Sequence, residues 1–352
     1  MRVLRIAFAV VAGCGRIGFD ARPPQPNVVF VTLPELAPGT FGDVAAGDAA
    51  CQAAASDAGL VGRYVAWLSS TTSNAIDRLG DARGWVRPDG LPFADTIDDI
   101  VAGRIITPIT LAADGTPQPA ADVVVTGTDE LGFARPNDNC ADFTSTAATA
   151  GVGSLAATAY SWTIAFGAAN SCAGGARIYC FGVDDVFPVT LPAPAVGRHG
   201  FLSSEWQLAG GLAGADAHCQ ADADANNLPG SYAALLATST TTAAARFDAS
   251  RPPWVRRDGL QLAATAGELL AGQHTIPLNV DATGAYINFD AGQASVWTGA
   301  LGPSDPAKST CGDWTDVAKQ GTQGAGQFAG PRAFFNGDFP CNFTNRLYCL
   351  ER

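Results

Sequence analysis

Trp85-Val86-Arg87-Pro88-Asp89-Gly90-Leu91 and Trp254-Val255-Arg256-Arg257-Asp258-Gly259-Leu260 are one phrase written twice in a chain of 352 residues. The match extends outward on both sides. Asp48-Ala49-Ala50-Cys51-Gln52 aligns with Asp216-Ala217-His218-Cys219-Gln220, Tyr64 with Tyr232, and Arg78 with Arg246. Ala102-Gly103 aligns with Ala271-Gly272, Pro108 with Pro277, and Thr126-Gly127 with Thr298-Gly299. Cys140-Ala141-Asp142-Phe143-Thr144 returns as Cys311-Gly312-Asp313-Trp314-Thr315, and Arg177-Ile178-Tyr179-Cys180 as Arg346-Leu347-Tyr348-Cys349. Eight cysteines keep the same rhythm, with gaps of 89, 32 and 8 in one half and 92, 30 and 8 in the other. This is an internal duplication, placing one fold at 28–184 and again at 199–352. Residues 185–198 between them carry Pro188, Pro192 and Pro194 and read as an extended linker that holds the copies apart.

Each copy reads as α+β with a large irregular share. Val28–Thr32, Tyr64–Leu68, Val123–Val125, Val296-Trp297 and Ile178–Val183 predict strands. Asp48–Asp57 is Ala-rich and predicts a helix bearing the first cysteine. Ile100–Ile106 starts as a helical turn and ends extended, while Thr144–Ala159 and Gly321–Gly330 read as loops. A net charge of −12 gives no basic footprint for nucleic acid and no attraction to anionic lipid. No apolar run reaches the roughly 18 residues of a spanning helix.

The chain opens Met1-Arg2-Val3-Leu4-Arg5 and continues through an apolar run to Val11-Ala12-Gly13-Cys14. A basic start, an apolar stretch and small residues before a Cys is the pattern of a bacterial lipoprotein signal. Residues 1–14 then hold the signal and its lipidated Cys14, and the Pro-rich 15–27 form a stalk. The lipid is the only membrane attachment, and the outer membrane or cell surface is the expected location. Gly13-Cys14-Gly15-Arg16-Ile17-Gly18 also fits a dinucleotide fingerprint. That fingerprint needs a helix next, and Pro23, Pro24 and Pro26 deny it one.

Export to an oxidising compartment makes disulfides the reading for the other eight cysteines. If each copy closes on itself in the same way, three pairings remain. Each bridge would contribute roughly 3–5 kcal/mol by constraining the unfolded chain. Zinc favours closer ligand pairs than a spacing of eight. His199, His218 and His274 are scattered, and no partnered His recurs in both copies.

The cysteine rhythm, the Trp motifs with Asp-Gly, the Thr-Gly pairs, the Tyr-Cys endings and Gly210-Gly211-Leu212-Ala213-Gly214-Ala215-Asp216 before Cys219 together resemble the C-type-lectin-like fold. The likeness is to its endostatin-like branch, found in bacterial surface and secreted lipoproteins, and spans nearly all of the chain beyond Cys14. It implies two tandem, loop-rich domains with two disulfides each. The implied pairs are Cys51–Cys180, Cys140–Cys172, Cys219–Cys349 and Cys311–Cys341. Sugar-binding members hold calcium with a Glu-Pro-Asn-like loop and a Trp-Asn-Asp motif. Here Arg135-Pro136-Asn137-Asp138 and Phe335-Asn336-Gly337-Asp338 depart from both. Calcium at Asp305, Asn336 and Asp338 is the one cofactor candidate, and calcium needs six to eight oxygens.

Other residues have plainer readings. Asp222-Ala223-Asp224 opens like an EF-hand loop, but Asn227 and Ala233 stand where Gly and Glu are needed, so a solvated helix face is expected. Trp85 and Trp254 read as core. Arg78 and Arg246 read as partners of Asp48 and Asp216, and Asp142 and Asp313 as acceptors for loop backbone. Asn342-Phe343-Thr344 matches a glycosylation sequon by pattern alone. The functional expectation is a non-catalytic envelope protein whose modules bind a glycan, a matrix component or another envelope protein. The alternatives are a purely structural module and an enzyme of the formylglycine-generating type, whose chemistry needs reactive cysteines.

Overall fold

The computed structural model describes residues 25–33, 37–121, 123–165, 169–288 and 295–352. Segment 1–14 with Cys14, and the stalk up to Pro24, lie outside the described residues. The first half runs β1 (Asn27–Val31), α1 (Val44–Asp57), β2 (Tyr64–Ala66), β3 (Trp85–Val86), β4 (Pro92–Ala94), α2 (Ile97–Val101), β5 (Val123–Val125), β6 (Thr149–Ser154), β7 (Ala169–Ser171) and β8 (Tyr179–Gly182). The second runs β9 (Arg198–Leu202), α3 (Gly211–Ala225), β10 (Tyr232–Ala234), β11 (Trp254–Val255), α4 (Ala266–Leu270), β12 (Ser295–Trp297), β13 (Gln320–Ala325), β14 (Gly337–Pro340) and β15 (Tyr348–Glu351). The architecture is α+β, with few helices and several small sheets.

The two halves share one topology. The main sheets run β2-β8-β1-β3-β4 and β10-β15-β9-β11, and the smaller ones β5-β6-β7 and β12-β13-β14. In each main sheet the last strand lies antiparallel between the first two, and the first strand pairs in parallel with the Trp strand. Trp85 and Trp254 are 0% and 1% exposed, so the repeated motif is core.

Local chemistry explains the helices. Asp43 caps α1 through the Ala46 N–H, and α2 and α4 open on capping boxes, Thr96 with Asp99 and Thr265 with Glu268. The buried residues of α3 are Gly211, Ala215, Cys219 and Ala223, a small-residue stripe at a spacing of four that lets the helix lie close to the sheet. Cys51 is bonded to Cys180, Cys140 to Cys172, Cys219 to Cys349 and Cys311 to Cys341. These are the pairs that the resemblance implies, and none of the eight is left as a thiol.

Two expectations need correction. The stretches 144–159 and 321–330 are not loops throughout, because they contain β6 and β13. Their Gly, Ala and Thr content hides a strand whose small residues answer to crowding. A Cβ on Gly153 would lie 1.8 Å from the Trp162 carbonyl oxygen, and one on Gly324 would lie 1.9 Å from that of Ala333. Tertiary packing overrides propensity here.

Nor are the halves held apart. Ala157 and Phe328, which occupy equivalent places, form an antiparallel bridge. The Thr158 N–H donates to Gln327 O, and the Ala329 N–H to Ala156 O, both at 2.8 Å. Ala156, Ala157, Ala325 and Phe328 make a small shared core there. Arg256 reaches across to donate to Ile106 O at 3.0 Å. A proline-rich linker is stiff and extended, but its stiffness does not stop the modules it joins from docking.

Intact mass under non-reducing conditions should fall eight hydrogens below the fully reduced value of the same chain. Replacing both Cys51 and Cys180 by Ala should cost about 5 kcal/mol in denaturant unfolding, more than the roughly 3.5 kcal/mol expected for Cys140 with Cys172.

Candidate functional site

Each inner disulfide anchors an unusual turn. Cys140, Ala141, Asp142 and Phe143 all have φ between 50° and 64°, and Cys311, Gly312, Asp313 and Trp314 all have φ between 53° and 66°. Four successive left-handed residues cost about 1–2 kcal/mol for each non-glycine. The turn closes like a helix of the opposite hand. Phe143 N–H donates to Asn139 O at 2.9 Å, and Trp314 N–H to Thr310 O at 2.8 Å.

Three contacts hold the strain. The disulfide fixes the first residue of the turn. The fourth drives an aromatic ring into the core, where Phe143 and Trp314 are fully buried and Trp314 Nε1 donates to Ala237 O at 2.7 Å. The third projects a carboxylate to a neighbouring loop. Asp142 accepts from the Thr71 N–H at 2.7 Å and from its hydroxyl at 2.5 Å. Asp313 accepts from the Ser239 N–H at 2.7 Å and from its hydroxyl at 2.6 Å. Those bonds, the side-chain ones foremost, hold both carboxyls below the usual carboxylate value. Both acids therefore serve loop backbone. The repeated Cys-x-Asp-aromatic motif was the available signal for this turn, but its left-handedness was not legible.

The arginines are structural as well. Arg78 pairs with Asp48, which also accepts from the Ala66 N–H at 2.8 Å, and Arg246 pairs with Asp216, which accepts from the Ala234 N–H at 3.0 Å. Each pair clamps the long helix to the second strand. In the repeated Trp phrase, Arg256 is fully buried against Asp258 at 2.5 Å, and Tyr286 adds its hydroxyl at 2.6 Å. Burial alone would raise the Asp258 carboxyl, but the Arg256 charge and these hydrogen bonds outweigh it and hold it low.

The second repeat departs from the first on the face of α3. Ser204, His218 and Asp222 converge where the first repeat has Leu33, Ala50 and Ala54. Ser204 Oγ lies 3.0 Å from His218 Nε2 and donates to Asp222 Oδ1 at 2.9 Å, while the Ser204 N–H donates to Asp222 Oδ2 at 2.6 Å. This is not a nucleophile set. The carboxylate binds the serine instead of standing behind the imidazole, so the cluster ties the loop to α3. The EF-hand-like start thus serves as a helix face with a loop clasp.

At the calcium candidates, both Asp338 oxygens are engaged. Lys308 pairs with Oδ2, and the Thr322 hydroxyl donates to Oδ1 at 2.8 Å. Lys308 also stands over the Phe335 ring, 5.1 Å from its centroid. The Asn336 N–H donates to Gln323 O, and the Asp305 N–H closes a turn onto Gly302 O at 3.1 Å. Among the described residues, no three His, Cys, Asp or Glu side chains converge as a metal site.

Another departure is aromatic. Phe335, Phe339 and Phe343 are 37%, 36% and 55% exposed, all on or beside β14. The first repeat has Asn170 and Gly174 in the places of Phe339 and Phe343. Sequence reading passed over them because it weighed what the repeats share. The difference between equivalent positions was the signal. Compared with known proteins, the chain matches no family model and no curated protein.

Asp313→Ala should destabilise the fold by about 1–3 kcal/mol, since it removes charge-assisted hydrogen bonds. The folded carboxyl titrates below its unfolded value, so that contribution should be full above about pH 4 and vanish as pH falls through the folded value. Comparing the mutant's denaturant unfolding with that of the wild type at pH 6 and pH 3 checks both statements.

Proposed function

We propose that this chain is a non-catalytic, lipid-anchored protein of the bacterial cell envelope, built from two C-type-lectin-like modules of which the second carries the ligand face. The observation behind this reading is the exposure of Phe335, Phe339 and Phe343 around one short strand, with Asn170 and Gly174 in the places of Phe339 and Phe343 in the first repeat. Exposed rings cost solubility, and they supply contact area at a low entropic cost on binding. Lys308 and Asp338 place a paired cation and anion beside them, so apolar and polar recognition sit together. The ligand class is a glycan, a matrix component or an envelope protein, and the first module acts as the scaffold. Attachment through Cys14 rests on the signal-like N-terminus. In each module the helix is cross-linked to the last strand and the small sheet is stapled by the inner bridge, in keeping with the C-type-lectin-like reading.

Recognition at this face uses the Lys308 ammonium where sugar-binding relatives of the fold use calcium. The melting midpoint of the chain from Gly15 onward should therefore be equal in calcium and in chelator, since a ligand of the folded state must raise it. A calcium-dependent rise abolished by Asp338→Ala would instead put the metal there. On glycan arrays and immobilised envelope or matrix proteins, Phe339→Ala with Phe343→Ala should weaken binding at least ten-fold. Stability should stay within about 0.5 kcal/mol, as for other surface changes. Asn170→Ala in the first module should leave binding unchanged. Binding that survives loss of both rings would remove the proposed face.

A further inference from the structure

His274 follows α4 in the second repeat and is 5% exposed. Its Nε2–H donates to the Phe328 carbonyl at 3.4 Å, and the Phe334 ring stands edge-on with centroids 5.4 Å apart. Its Nδ1 is buried with no hydrogen-bond partner. Phe328 is the residue that pairs with Ala157 across the inter-repeat contact, so the imidazole backs that contact directly. The equivalent residue of the first repeat is Ile105, fully buried and apolar. An aliphatic side chain therefore satisfies this place in the fold, and the second repeat instead buries a titratable ring there with one nitrogen unserved.

We infer that His274 is an acid-operated latch: protonation of its ring releases the Phe328 turn and opens the bridge that this turn makes with Ala157 of the first repeat. The neutral ring can serve the Phe328 carbonyl from Nε2 and leave Nδ1 as a bare lone pair. The protonated ring carries a charge and a second N–H that meets no acceptor. A buried cation with an unpaired donor is strongly disfavoured. The relief is to reach water, which breaks the ring's contact with the Phe328 carbonyl. Burial pushes the imidazole down to about 4, and the Phe328 carbonyl opposes this only in part. The charged groups on the surrounding elements are Glu268 on α4, Arg332 stacked on the Phe328 ring, the Arg256–Asp258 pair, and Arg104 paired with Asp99. None of them shifts the ring. An opened form with its histidine in water titrates near 6.5, so it takes up the proton first. The closed form's advantage is full above about pH 6.5 and is lost as pH falls toward 4.

The test is hydrogen exchange on the full chain between pH 7 and pH 4, corrected for intrinsic rates. The Thr158 and Ala329 amides donate the two reciprocal bonds of the bridge and should exchange at least ten-fold faster at pH 4 than at pH 7. The rise should follow a one-proton curve, while amides of β8 and β15 stay protected. His274→Ile, which installs the first repeat's residue, should keep both amides protected. His274→Gln keeps a donor for the Phe328 carbonyl without a charge and should do the same, which covers a failure of the isoleucine variant to fold. Opening of either folded variant at the wild-type pH would overturn the latch. So would a wild type that stays closed to pH 4, or simultaneous loss of protection in β8 and β15, which would mean acid unfolding.

Discussion

The bond from Cys51 to Cys180 joins the middle of α1 to a strand flanked on both sides within the main sheet, and the rest of the first repeat is arranged around it. It closes a loop of 129 residues, so it removes much of the unfolded chain's freedom. A bridge alone fixes distance, not orientation. Orientation comes from the Asp48–Arg78 clamp, which binds the same helix to β2 about one turn before Cys51 through backbone hydrogen bonds. Cys219–Cys349 and Asp216–Arg246 repeat the arrangement. With helix and sheet locked, the region between the first and last strands is free to be irregular, and the inner bridge staples it locally.

That division explains where the two repeats agree and where they differ. Positions alike in both belong to the clamp, the Trp strand, the left-handed turn and the close strand crossings. Each meets backbone or a buried partner, so a change there costs the fold. Positions that differ include the helix face at His218, the exposed strand at Phe339 and the buried place beneath Phe328 that His274 fills. A duplicated frame lets one copy supply stability while the other acquires side chains that are costly for it, such as exposed rings or a buried imidazole.

Much of the frame was legible because repetition acts as an internal control. A residue found twice at one spacing is there for a reason that does not depend on local sequence, and this placed Trp85, Asp48, Arg78 and Asp142 in their roles. The strands β6 and β13 were not legible, because glycine speaks against a strand unless one knows that the Trp162 or Ala333 carbonyl approaches it. The left-handed turns were hidden for a related reason. Nothing in Cys-Ala-Asp-Phe announces positive φ, and only the disulfide, the buried ring and the bound carboxylate together make the strain tolerable. The candidate ligand face was missed because agreement between copies was the criterion, and Phe339 and Phe343 have none.

The inter-repeat contact shows how far symmetry persists in a single chain. Thr158 with Gln327 and Ala329 with Ala156 are the two halves of a reciprocal pair, as a two-fold dimer would make. In a true dimer every substitution falls on both sides of the axis at once. Here it falls on one side, so Ile105 packs the first repeat while His274 titrates beneath the second. Two protonated rings facing one axis would strain both sides of the contact together; one ring loads a single side and leaves the other frame intact. Duplication thus turns a symmetric docking surface into one that can be tuned from one end, and the tuning needs no residue of the frame itself.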